Sequence, residues 1–371
     1  MSAALRLHIP VSAFRDALSE VLPAVPSRTT LPALECLRLA AHDGILEVTA
    51  TDLEVRITRR LPAEVVTSGV ALVPAKLLSD IVRSLDKSDA IQLECHDTTL
   101  TVETPYGRYQ IAGLPAGEFP QGEEVPESVL ELGAEAVEHI VRSVLFAASD
   151  DPLRPALTGV LFEGKPHELC VVATDGYRLS RLRIPLETAT AGTCLVPANT
   201  VELLRHAREP VRMGWNEHVV AFSTAELTIV GRLLQEKFPA YEQVIPSQTT
   251  KRFRANRQKL LDALGRVSLF SGTQLRIVRL RFTHGGVTCE AENEERGDRA
   301  YELVPGEYTG EEFLIGFNAR YLSEALRAAD TDEILLEFTE PTKPVVIRRV
   351  QEEELPIAES GLVILAMPVR L

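Results

Sequence analysis

The chain is short of the residues that carry most protein chemistry. Its 371 residues include only five cysteines, Cys36, Cys95, Cys170, Cys194 and Cys289, with no CxxC pair and no metal-ligand spacing. That excludes a disulfide or zinc scaffold and suits a reducing cytoplasm, with the thiols acting as small buried apolar groups. The eight histidines are scattered, and none has a cysteine or second histidine at ligand spacing. There is no GxxxxGKS/T loop, no GxGxxG after a strand, no HExxH and no GxSxG, so phosphate-loop, dinucleotide, zinc-protease and serine-hydrolase chemistries lack support. No catalytic residue, metal or cofactor is expected. The longest apolar run, LVILAMPV, is too short to cross a bilayer, and the start MSAALRLHIPVSAF lacks the layout of a secretory leader, so no membrane association is expected. Positive charge is also in deficit. With 39 Lys and Arg against 53 Asp and Glu the net charge is -14, which ordinarily argues against a nucleic-acid partner.

What the chain does have is repetition. LEVTATDLEVRI, from Leu46 to Ile57, returns as LCVVATDGYRLS from Leu169 to Ser180 and more faintly as VTCEAENEERGD from Val287 to Asp298. LVPAKLLSDIV from Leu72 returns as LVPANTVELLRHA from Leu195 and as IGFNARYLSEAL from Ile315; in both series the first two copies lie 123 positions apart. A period of that size is a domain, not a solenoid unit, and three copies fill the chain as residues 1–124, 125–248 and 249–371.

Each copy reads as a helix, several strands, a second helix and more strands. Apolar spacing of three and four predicts first helices over 11–22, 134–147 and 256–268, and second helices over 75–85, 198–208 and 318–328. Short alternating or β-branched runs between turn residues predict antiparallel sheets, giving an α+β fold with helices gathered on one side of each sheet. The six helical segments carry eleven Lys and Arg against eight Asp and Glu, so they are net +3 while the rest of the chain is -17. Surface helices commonly carry such residues, but threefold repetition also fits a mildly basic face repeated around an axis. The recurring Asp52 and Asp175 read better as turn residues that accept local backbone amides than as a catalytic carboxylate pair.

At ATDGYRL, from Ala173 to Leu179, the chain resembles the bacterial DNA polymerase sliding clamps, the beta subunits of the replicative polymerase. Matching segments run its full length: SRTTLPALECL, ATDLEVRI, LVPAK, GLPAGEFP, KFPAYEQVIP, IGFNARYL and the final AMPVRL. The resemblance implies three clamp-fold domains per chain and a head-to-tail homodimer. In that ring helices line the hole, sheets form the outside, and duplex DNA is held without reading its sequence. It implies a cytoplasmic processivity factor with no catalytic site. Implied partners are the replicative polymerase alpha subunit, the clamp loader, repair polymerases and ligase-type clamp-binding proteins.

Carried over residue by residue, the DNA contacts are Arg28 in SRTTLP, Lys76 on a lining helix and Arg154 in DDPLRPALTG, with Arg83 and Arg205 on second helices. That second loop departs from its relatives, with Asp151, Pro155 and Ala156 where many have a glutamine and two tyrosines. The partner-peptide pocket maps to Leu157, Thr174, Gly176, Tyr177, Arg178, Leu179, Pro239, Val244, Asn318, Tyr321, Pro344, Val345, Leu365, Met367, Pro368, Val369 and Arg370. Gln243 stands where several relatives have arginine. The dimer face maps to Leu77, Ile81, Leu85, Tyr109 and Ile111 on one chain, meeting Leu269 and Phe270 of the other.

Overall fold

The computed structural model describes residues 5–371 apart from 88, 188–189, 208, 273–275 and 294. The element order repeats three times. The first copy runs from strand Leu5–Pro10 into helix α1 (Val11–Val21). Strands Cys36–His42, Ile45–Thr51, Val55–Pro62 and Gly69–Pro74 follow, then α2 (Ala75–Ser84) and strands Ala90–His96, Thr99–Thr104 and Gly107–Ala112. The second copy has α3 (Ala134–Ser143), strands Gly159–Lys165, Glu168–Thr174, Arg178–Pro185 and Gly192–Pro197, a short α4 (Ala198–Glu202), then Val211–Trp215, Val219–Ser223 and Leu227–Arg232. The third has α5 (Arg257–Val267), strands Ile277–Thr283, Gly286–Asn293, Asp298–Val304 and Phe313–Asn318, α6 (Ala319–Ala328), then Glu333–Phe338, Val345–Arg349 and Leu362–Ala366.

All six expected helices exist, but two are shorter than their apolar spacing predicts. The segment expected as a helix over 134–147 breaks after Ser143 into a 3-10 turn at Leu145–Ala147, and that over 198–208 tightens at Leu203–His206. Arg208 lies outside the described residues. Buried faces follow the expected period: Val11, Phe14, Ala17, Leu18 and Val21 on α1, and Leu260, Leu261, Ala263, Leu264 and Val267 on α5. α1 and α2 begin directly after Pro10 and Pro74, whose extended backbone leads from strand to helix without a side-chain cap. In the third copy Asn256 and Asn318 do the capping, accepting from Lys259 N–H and from Arg320 and Tyr321 N–H.

The chain divides into two compact units, one holding the chain up to Ala134 with Leu203–Leu233, the other Glu135–Glu202 with Leu234–Leu371. In each unit a sheet spans two copies of the repeat. In the first, the last strand of the second copy, Leu227–Arg232, pairs antiparallel with Val55–Pro62 of the first copy, setting Ile229 opposite Ile57 within an eight-stranded sheet. In the second, Leu362–Ala366 of the third copy pairs with Arg178–Pro185 of the second, setting Leu365 opposite Leu179 within a nine-stranded sheet. The first unit also holds a five-stranded sheet ending in Gly107–Ala112, and the second a four-stranded sheet ending in Asp298–Val304.

The repeated aspartates are turn residues, as expected. Asp52 Oδ1 accepts from Glu54 and Val55 N–H, Asp175 Oδ1 from Tyr177 and Arg178 N–H, and in the third copy Asn293 Oδ1 accepts from Glu295 and Arg296 N–H. All five thiols are buried and unpaired. Burial pushes Cys36 up to about 11 and Cys194 and Cys289 up to about 12, so these three stay protonated and inert near neutrality.

Aromatic residues are only 5% of the chain, yet Phe253, Phe282, Tyr308, Phe313 and Phe338 cluster in one core, with Phe282 and Phe338 ring centroids 4.7 Å apart. In the same unit Arg348 is fully buried. Its Nε donates to Glu337 Oε2 at 2.6 Å, and its Nη1 reaches Glu352 O, Leu355 O and Ser360 Oγ. Removing one member of such a pair leaves a buried charge without compensation. Glu337→Ala should therefore lower unfolding free energy by about 3–5 kcal/mol, read by urea denaturation, whereas a surface-like cost under about 0.5 kcal/mol would show the pair to be dispensable.

Candidate partner and nucleic-acid interfaces

The expected partner-peptide residues all fall in the second unit, around the turn that follows strand Glu168–Thr174. Thr174 Oγ1 donates to Arg178 O at 2.6 Å and accepts from Gly176 N–H at 3.1 Å, and Gly176 takes φ 89°, a left-handed conformation natural to glycine. The turn presents Tyr177, which is 55% exposed and stacks on Tyr321 of α6 with centroids 5.8 Å apart. Beneath them Arg178 is buried. Its guanidinium pairs with Asp175 at 3.1 Å and with Glu324, and lies 4.6 Å from the Tyr321 ring centre and 5.5 Å from that of Phe146. Arg178 is therefore a buttress between turn and helix, its Nε and Nη1 held by the Asp175 and Glu324 carboxylates.

The last residues of the chain continue the same surface. Met367 N–H donates to Tyr177 O at 2.8 Å and Val369 N–H to Gly316 O at 2.9 Å. Leu371 lies against Gly316 so closely that an added Cβ there would stand 2.5 Å from its Cδ2. Met367, Arg370, Tyr177, Pro239 and Val244 are exposed, while Leu157, Asn318, Tyr321, Pro344, Pro368 and Val369 are half-buried. Thr174, Leu179, Val345 and Leu365 are buried. Leu179 and Leu365 pack in a core with Cys170, Phe238, Tyr241 and Val346, so they floor the surface from beneath. Asn318 is spent on capping α6. Sequence reasoning missed Phe146, Glu324 and Gly316; the (i, i+4) spacing of Arg320 and Glu324 on a predicted helix was the one available signal.

Of the expected DNA contacts, Arg28, Lys76, Arg83 and Arg205 are exposed in the first unit, with Lys76 and Arg83 on α2. Arg205 sits on the 3-10 turn after α4, not on a regular helix. Arg154, in the second unit, is tied into its own loop, its Nε donating to Asp151 Oδ2 at 3.0 Å and its Nη1 to Asp175 O at 2.9 Å. The Leu153 N–H, then the Arg154 guanidinium, hold the Asp151 carboxyl below its usual range, so that bond keeps its charge.

Of the expected dimer residues, Leu269 is 80% exposed, Leu77 49%, Phe270 41% and Tyr109 40%. Ile81 and Leu85 are half-buried. Ile111 is 1% exposed, so it belongs to the core of its own chain. Strand alternation places it on the face of Tyr109 but does not say how far the core extends along that face. Two residues not singled out from sequence, Tyr301 and Leu303, are 83% and 56% exposed on the edge strand Asp298–Val304.

Residues 5–123, 131–240 and 242–359 match the N-terminal, central and C-terminal domains of the DNA polymerase III beta subunit. The chain is 32% identical over 368 residues to the beta sliding clamp of Synechococcus elongatus, covering 95% of this chain and 96% of that one. The chain belongs to the beta sliding clamp family. It is 28% identical over 364 residues to the Escherichia coli beta sliding clamp, again covering 95% and 96%. Its fold superposes on a crystal structure of the Pseudomonas aeruginosa clamp bound to griselimycin with TM-score 0.91 and 28% identity, covering 99% and 100% of the two chains. The C. crescentus clamp, with polyethylene glycol at a putative beta-motif tethering region, gives TM-score 0.91 at 27% identity over both full chains. The family supplies processivity to the replicative polymerase as a ring-like clamp and has no catalytic role of its own. Among the described residues no helix is long and apolar enough to cross a membrane.

The seating of the last residues can be checked directly. Gly316→Ala should displace Leu371 and Val369 and speed trimming of the chain end by carboxypeptidase, with only a small fall in melting temperature because Leu371 is exposed and Val369 half-buried; unchanged trimming would mean the contact does not hold the end.

Proposed function

We propose that two copies of the chain close head to tail into a ring around duplex DNA, each built of domains at 1–124, 125–248 and 249–371. The observation that carries this reading is a pair of unused sheet edges. Within the chain, the last strand of the second copy pairs with the third core strand of the first, and the last strand of the third copy with that of the second. The two strands left over in the same series are Gly107–Ala112, last of the first copy, and Asp298–Val304, third core strand of the third; each ends its own sheet. An open edge carrying Tyr109, Tyr301 and Leu303 is an aggregation hazard unless something pairs with it, and a second copy supplies the complement. Because the contact joins different surfaces, closure after two chains depends on rotation, and the repeat supports it by offering the same join six times per ring.

The repeat also specifies the register. Val230 opposite Arg56 and Leu365 opposite Leu179 are equivalent positions, and the same place at the third join is Gln110 opposite Arg299, with Arg108 opposite Tyr301. Cysteines at Gln110 and Arg299 should yield a covalent dimer on oxidation, against the low background of five buried native thiols. The slipped pair, Gln110→Cys with Ala300→Cys, should react far more slowly. A monomer mass in solution, or equal reaction of both pairs, would overturn the join.

Lys76 and Arg83 on α2, with Arg28 and Arg205, serve as diffuse phosphate contacts. The surface around Tyr177, Val244 and Met367 serves as the seat for apolar-anchored peptide segments of the polymerase and other clamp-binding proteins. A protein that grips six or more phosphates loses about a thousandfold in affinity between 50 and 200 mM salt, but a closed ring is held by topology. Loaded on circular duplex, the protein should stay bound in high salt and leave when the circle is cut. Equal retention on cut and uncut DNA would rule out encirclement.

A further inference from the structure

A second cleft stands where the internal repeat places a counterpart of the peptide seat. Thr51, Leu53 and Glu54 lie 123 positions before Thr174, Gly176 and Tyr177. The correspondence extends to single bonds. Thr51 Oγ1 donates to Val55 O at 2.8 Å and accepts from Leu53 N–H at 3.1 Å, matching the bonds of Thr174. Arg232 N–H donates to Glu54 O at 2.9 Å, as Met367 N–H does to Tyr177 O at 2.8 Å. Phe119 and Pro120 take the places of Phe238 and Pro239, with both phenylalanines buried. Between these elements the first unit leaves a cleft of about 360 Å³, within the range of small-ligand sites.

Its chemistry is not that of its counterpart. The floor is apolar, built from buried Val55, Val219 and Val230. Leu53 forms part of the wall, 46% exposed at φ 80°, a conformation that branched residues rarely adopt and that glycine takes in the counterpart. Arg56 is committed, with Nη2 donating to Pro120 O at 2.7 Å and the guanidinium over Phe119. Arg232 is not committed in the same way. It is 56% exposed and reaches Glu123 at 3.7 Å, beyond hydrogen-bonding distance. Glu54 and Glu123 share the rim with Arg56 and Arg232, so the lining is balanced in charge, and Arg232 is the one place where a single carboxylate beside an aliphatic group would meet an exposed cation.

We propose that this cleft is a second, weaker seat for a short segment of a partner protein, the segment's aliphatic side chain resting on Val55, Val219 and Val230 and its carboxylate meeting Arg232. The proposal rests on the peptide-seat reading above only for the class of ligand. The test uses the full chain and a fluorescein-labelled peptide, GSLDLG. To isolate the second seat, binding is read in the chain lacking Met367–Leu371, and in the intact chain as stoichiometry. Binding that survives the truncation is expected to fall by about 1.4- to 5-fold when the peptide aspartate becomes asparagine, the scale of one exposed ion pair. Arg232→Glu should reverse the preference, favouring GSLKLG over GSLDLG, an outcome that a purely structural role for Arg232 would not produce. Leu53→Gly relieves the left-handed leucine, so it should leave the melting temperature unchanged or higher while weakening the residual binding. One peptide per chain with no binding after truncation overturns the proposal. So does residual binding indifferent to Arg232→Glu. If truncation leaves all binding intact, the seat at Met367 is misplaced, and the Arg232 reversal still decides the second cleft.

Discussion

Everything else in this structure depends on one backbone interaction, the antiparallel join between the last strand of one repeat copy and the third core strand of the copy before it. Each copy alone would leave both strands with unpaired N–H and C=O groups, which are costly to bury and adhesive when exposed. Pairing copies in series removes that liability at two joins and carries it to the ends, Gly107–Ala112 and Asp298–Val304. The exposure of Tyr301 and Leu303 is thus a consequence of where the series stops.

The joins also decide where clefts form. At both joins within the chain the third core strand is entered through a turn whose Asp accepts two backbone amides, and the chain leaving the partner strand runs past that turn. At the first join the turn, the departing Gly231 and Arg232 and the segment Gln121, Gly122 and Glu123 bound a hollow because the sheet's hydrogen bonding has ended while its core continues beneath. Side chains then set the character of the surface at each join. At the second join Tyr177 stacks on Tyr321 and Arg178 is locked between Asp175 and Glu324, which gives a stiff apolar platform. At the first join the same positions are Glu54 and Val55, and the rim is charged.

Much of this was legible in the sequence because repetition multiplies weak signals. The turn reading of Asp52 and Asp175 came from local turn chemistry, ATDG followed by YRL, and Asn293 keeps the same two bonds in the faintest copy. Helix existence was legible from spacing, helix length less so: beyond Ser143 and Glu202 the apolar pattern continues into 3-10 turns, which present side chains with similar spacing over so few residues. Where the site residues sit was legible, but what holds each of them in place was not. Arg178 and Asn318 carry polar groups that could face a ligand, yet tertiary neighbours 146 positions away and a helix end claim them first. Ile111 failed for a related reason, since period-2 alternation cannot show where a core ends.

The charge layout follows from the same division of labour. A net charge of -14 on a chain proposed to surround a polyanion requires that cations be placed rather than abundant. Many arginines are in fact spent on structure: Arg348 inside a sheet, Arg178 under a turn, Arg142 between Glu138 and Asp330, and Arg15 on carbonyls at the end of α2. Those on α2, Lys76 and Arg83, are exposed on a helix whose opposite face, Ala75, Leu78, Ser79 and Val82, is fixed in the core. A few long, exposed cations on a rigid element would attract phosphates without holding any one of them, and weak interchangeable contacts are what the proposed sliding requires. A tighter array would raise affinity and oppose movement, so the thin positive charge is consistent with retention by closure and not by grip.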